Sequence, residues 1–156
     1  MLVVAIGAGI LVARSQGQRT AGGQMTGGIG IEDTATKLAQ ARALLSVDPE
    51  AAQRTYVAIL DADPQNPEAL TYSGWLLYVA SAGASAELRD VAVSSAKQQL
   101  TRAVAADASY PDPHCFLAVV AADAEADTAT ARAEAEQCLA FDPPAQVRDL
   151  VEGLTE

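Results

Sequence analysis

The sequence predicts an all-α protein, a stack of three antiparallel helical hairpins closed by a carboxy-terminal capping helix. Composition is the first observation, because alanine dominates, only 4% of residues are aromatic, and long β-branched runs are absent. Such a chain favours helix over sheet. The second is a junction in which an apolar-periodic segment closes on Leu60-Asp61-Ala62-Asp63-Pro64 and a new one opens at Pro67-Glu68-Ala69. Proline costs nothing in a first helical turn, so this reads as helix, turn, helix. The third is recurrence: the phrase returns at Asp107-Ala108-Ser109-Tyr110-Pro111-Asp112-Pro113 and, shortened, at Phe141-Asp142-Pro143-Pro144. One junction repeated at tens of residues predicts stacked hairpins.

Residues 1–13, MLVVAIGAGILVA, form an unbroken apolar run ahead of Arg14 and Arg19. As a helix this run reaches only about 20 Å, against the roughly 30 Å of a hydrocarbon core. It is read as either the second half of a membrane anchor whose beginning precedes this chain, or a short signal segment. Either reading would set the helical part on the extracytoplasmic side. Residues 14–33 follow as a flexible linker, since Ser15 to Gly30 holds six glycines and no apolar periodicity. No Gly-Lys-Ser/Thr ending accompanies them, so a phosphate cradle is not expected.

The helical domain is assigned to residues 34–156. Its first helix starts at Asp33 or Thr34, with Leu38, Ala41, Leu44 and Leu45 on one face. Asp48-Pro49 opens the second, whose inner face holds Ala52, Tyr56, Ile59 and Leu60. The third begins at Pro67 and ends in Ser81-Ala82-Gly83-Ala84-Ser85. A long fourth helix covers Ala86 to Ala106, and the fifth and sixth take Pro113 to Ala124 and Thr128 to Ala140. The tail AQVRDLVEGL carries Val147, Leu150, Val151 and Leu154 at helical spacing and is expected to cap the last open face.

These residues resemble the tetratricopeptide repeat, whose period is about 34 residues. Gly74 falls on the glycine of the repeat's first helix. Ala52, Tyr56 and Pro64, then Ala96, Leu100 and Ala103, then Ala131 and Pro143 fall on positions of the second. Departures are Gln40 and Val120 at the glycine, Ile59 and Cys138 at a small position, and Ala108 at the proline. The fourth helix is about ten residues longer than the family spacing. The resemblance implies a concave groove lined by Lys37, Ala41, Thr71, Trp75, Tyr78, His114 and Leu117. Trp75 and Tyr78 stand three apart on one helix face and make suitable anchors for an extended or helical peptide; packing of Trp75 on the next repeat is the other reading.

Acidic residues outnumber basic ones 20 to 10, for a formal net charge of −10, which repels phosphate backbones, so no nucleic-acid partner is expected. The single histidine, His114, adjoins Cys115. Neighbouring helical residues point about 100° apart and do not form a nucleophile–base pair, so no enzyme is expected. No metal or cofactor motif is present. Cys115 lies 11 residues before Ala126 and Cys138 lies 12 after it, so a hairpin turning there sets them at one level. A disulfide and a pair of buried thiols both fit that placement.

An apolar amino-terminal segment, a glycine-rich linker reading GGQMTGGIG and then repeats also resemble the membrane-anchored CcmI/CycH-like proteins of c-type cytochrome biogenesis. That resemblance implies a membrane-tethered module binding a protein or peptide client, in that family an unfolded apocytochrome c. The alternative is a structural scaffold subunit of an envelope complex.

Overall fold

A computed structural model of the chain describes residues 26–155. Its elements are α1 (Thr26–Leu44), α2 (Pro49–Ala62), α3 (Pro67–Ala80), α4 (Ala86–Ala106), α5 (Asp112–Glu125), α6 (Thr128–Ala140) and α7 (Ala145–Arg148). Short 3₁₀ turns sit at Ser81–Gly83 and Glu152–Leu154, and no strand occurs among the described residues. Among them, too, no helix is long and apolar enough to cross a membrane. Residues 1–13, read as anchor or signal, lie outside the described residues.

Side chains fix the helix starts. Asp48 accepts the Ala51 amide at 2.9 Å ahead of Pro49, Asn66 accepts that of Ala69 at 3.0 Å ahead of Pro67, and Asp127 accepts that of Thr130 at 3.1 Å. Each cap satisfies an amide that the first turn leaves without an intrahelical partner. The recurring junction has a local device of its own. Asp63 Oδ1 accepts the amide of Gln65 at 3.3 Å, and Asp107 Oδ1 accepts that of Ser109 at 3.0 Å. An aspartate bonding two residues ahead mimics a backbone turn, which is why the phrase interrupts helix twice in the same way.

From α1 to α6 successive helices pack on one another, α3 also meets α5, and α7 packs on α5. Two cores result. Ala41, Ala52, Tyr56, Ile59 and Ala69 join α1, α2 and α3, while Leu100, Phe116, Val120, Ala135, Val147 and Val151 lie in the larger cluster built around α5. Tyr72 packs against both. Gly74 lets α3 and α4 approach closely, since a Cβ there would stand 3.1 Å from the Ala96 carbonyl oxygen. Lys97 ties α4 to the end of α5 through Glu125 at 2.6 Å. Ala126, at φ 52°, ends α5 in the left-handed conformation.

Two boundaries differ from the sequence reading. Helix α1 starts at Thr26, so the last part of the 14–33 linker is helical; residues 14–25 lie outside the described residues. Once Thr34 to Leu44 is helical and packed, each residue added in front gains a hydrogen bond without a new nucleus, even through glycines costing about 1 kcal/mol each. At the other end, the cap is not one continuous helix. After α7 the amides of Leu150, Val151 and Leu154 bond three residues back, and the tail tightens into 3₁₀ turns. Val147 and Val151 still bury against the core, while Leu150 faces solvent.

Candidate functional site

Five aromatic rings form a connected line across α2, α3 and α5. Tyr56 stacks on Tyr72 with centroids 5.6 Å apart, and Tyr72 meets Phe116 edge-on at 5.7 Å. Phe116 then stacks on Trp75 at 4.3 Å with planes 12° apart, and Trp75 leans on Tyr78 at 5.5 Å. The line runs from full burial at Tyr56 to half-burial at Trp75 and Tyr78. Spacing decides this gradient. Positions 72, 75 and 78 recur every three residues and drift around α3, so the first meets the core and the last reaches the rim.

Tyr78 borders the amino-terminal part of α4. Burial raises its phenol, the charge of Asp123 adds to that, and Arg89 acts in the opposite sense. Arg89 belongs to the extra turns of α4, which therefore flank the aromatic face. Farther along these turns Leu88 and Val91 are each 64% exposed.

The seven residues read as groove lining divide sharply. Trp75 and Tyr78 are half-buried, and Lys37 is half-buried with its ammonium 2.5 Å from Asp33. Ala41 and Thr71 are fully buried and line no surface. Ala41 belongs to the core of the first three helices, and the Thr71 hydroxyl donates to the Pro67 carbonyl at 2.7 Å. His114 is 8% and Leu117 9% exposed, so they back the face without opening onto it. Ala41 faces Ala52, Tyr56, Ile59 and Ala69 in the core rather than a shared surface with Trp75.

His114 Nδ1 lies 2.7 Å from Glu134 Oε2, linking α5 to α6. One residue on, Cys115 and Cys138 form a disulfide between the same helices, with Cα atoms 5.0 Å apart. Helix α6 buries little besides Ala131, Ala135 and Cys138, so these links hold a helix with scant apolar surface. With Cys115 in the disulfide, no free thiol stands beside His114.

A polar corner closes the buried end of the aromatic line. Asp112, the first residue of α5, accepts the Tyr72 hydroxyl at 2.7 Å and the Tyr110 hydroxyl at 3.0 Å, both at Oδ2. Arg42 grips Glu68 with two bonds of 2.6 Å. Burial, foremost, pushes Tyr56, Tyr72 and Tyr110 well above the ordinary phenol range, and Asp112 contributes to each. Sequence reasoning did not find this corner. Tyr110 and Asp112 lie in the recurring junction, where proline and aspartate read as turn signals, and nothing in their spacing announces Tyr56 or Tyr72 as partners. Among the described residues no group of three or more His, Cys, Asp or Glu side chains is arranged to hold a metal ion.

No protein-family model matches this chain, and no curated protein or solved structure shows significant similarity to it. The all-helical fold therefore rests on its own geometry.

Proposed function

We propose that this protein is an interaction module of tetratricopeptide type that holds a segment of a client protein against α3 and α5, with Trp75 and Tyr78 as anchors. One observation carries the reading. Trp75 is only half-buried, while Phe116 stacks on its ring at 4.3 Å. An aromatic anchor fixed from behind loses little freedom when a peptide covers it, which favours binding. The apolar run at 1–13 supports a membrane tether. The Cys115–Cys138 disulfide supports an extracytoplasmic, oxidising setting. Resemblance to CcmI/CycH-like proteins makes a haem-free apocytochrome c the first client to try.

A scaffold role is favoured instead by Leu88 and Val91, whose exposure on the α4 extension offers an apolar surface apart from the aromatic face. Variants separate the two readings. Trp75→Ala with Tyr78→Ala should weaken apocytochrome binding by about 2 kcal/mol or more, roughly 30-fold, with the helical circular-dichroism spectrum retained. Leu88→Ser with Val91→Ser should leave that affinity unchanged. The reverse pattern would assign the interaction to the α4 surface and remove the groove reading.

A further inference from the structure

Helix α3 carries Ser73, Leu76, Leu77 and Ala80 at helical spacing, a stripe turned toward α2, where Gln53 donates to the Ser73 hydroxyl at 2.9 Å. Burial falls along the stripe, from Ser73 at 2% exposed through half-buried Leu76 and Leu77 to exposed Ala80. The facing helix runs out at that end, since Pro49 is the first residue of α2 and Ala80 the last of α3. A cleft of about 290 Å³ is left between them, walled by Pro49, Leu76, Leu77 and Ala80 above Gln53. Glu50 and Arg54 complete its lining from α2. Arg54 Nη1 stands 3.9 Å from Glu50 Oε2 with side chains 69% and 92% exposed, so this pair is loose and contributes little by itself.

We propose that the cleft binds a free α-amino acid with an apolar side chain of leucine size, its ammonium against Glu50 and its carboxylate against Arg54. Charge complementarity selects that class. An alkyl carboxylate would gain Arg54 but face Glu50, and an alkylammonium would gain Glu50 but face Arg54. A neutral apolar molecule would leave both charges unused. A zwitterion meets the two together, and the guanidinium fork suits its carboxylate. The apolar side chain replaces water over Leu76, Leu77 and Ala80. Size agrees, because ligand cavities begin at about 300 Å³ and the cleft stands at that lower bound. The cleft is distinct from the Trp75 face: Leu76 packs on the core of the first three helices, and Trp75 on the cluster around α5. An apolar residue inside a peptide, which brings neither charge, is the competing occupant.

Calorimetric titration of the full chain with L-leucine, glycine and N-acetyl-L-leucine amide tests the site. L-Leucine is expected to bind saturably. Glycine, which has the charges without the side chain, and the amide, which has the side chain without the charges, should each bind at least tenfold more weakly. Arg54→Ala should weaken L-leucine at least tenfold, and Ala80→Phe, which fills the cleft from an exposed position, should abolish its binding with the helical circular-dichroism spectrum retained. Absence of saturable L-leucine binding would overturn the proposal. Equal binding of the amide would do so too, assigning the cleft to peptide side chains, and undiminished binding in Ala80→Phe would place the amino acid elsewhere.

Discussion

Trp75 is half-buried, with Phe116 stacked on its ring at 4.3 Å and Tyr78 tilted against it at 5.5 Å. Truncation to alanine should therefore cost about 1 to 2 kcal/mol of stability, from a stacked pair and partial burial, below the 3 to 5 kcal/mol of a core tryptophan. Urea unfolding checks that value, and a loss of 4 kcal/mol would make Trp75 a core residue. The spacing of Trp75 and Tyr78 was legible in the sequence, since three residues bring side chains to one face. The status of Ala41 and Thr71 was not, because a small side chain reads alike beneath a neighbouring helix and beside an open groove. The partnership of Tyr72, Tyr110 and Asp112 joins residues up to 40 apart and follows from how α3 and α5 pack, which no local pattern encodes.

Packing between elements makes Gly74 and the disulfide the sensitive points. An alanine at position 74 gains about 1 kcal/mol of helix propensity, but its Cβ would meet the Ala96 carbonyl at 3.1 Å and Gln99 Cβ at 3.2 Å. A backbone carbonyl yields only if α4 shifts, so Gly74→Ala should destabilise by about 1 to 3 kcal/mol in chemical denaturation. A gain in stability would mean that α3 and α4 adjust freely. Between α5 and α6, replacing both Cys115 and Cys138 by serine should cost about 3 kcal/mol for a loop of 23 residues. Amide exchange should then rise first in α6, and uniform loosening would contradict its dependence on the link. Starts at Pro49 and Pro67 were legible because caps and prolines are local chemistry. The start of α1 and the break in the tail were not, since each depends on how far a packed helix propagates.

Across the whole molecule, the four tyrosines have raised phenol pKa values, with burial as the first cause in each. The folded state then holds these protons above the ordinary value of 10.0, while the unfolded chain releases them. Stability from this source is complete below about pH 10 and falls as pH rises, by up to about 1.4 kcal/mol per unit for each of the deeply placed Tyr56, Tyr72 and Tyr110. Phenolate absorbance should consequently appear together with loss of helical ellipticity. Ionisation of more than one tyrosine, beyond the half-buried Tyr78, in a still-folded protein would contradict the burial. All-helical architecture was legible from alanine content and the repeated junction, because both act within single helices and turns. The approach of the helices to one another was not, since it is set by contacts such as Gly74 on Ala96.

Trp75 is the only tryptophan in the chain, so its fluorescence reports on the proposed anchoring face without labels. Titration with haem-free apocytochrome c tests the central claim most directly. The account predicts a saturable blue shift of emission, as a client segment displaces water from the exposed part of the indole, with the same midpoint as binding measured by calorimetry. Saturable calorimetric binding with an unchanged emission maximum would show that the client sits elsewhere and would contradict the assignment of Trp75 as its anchor.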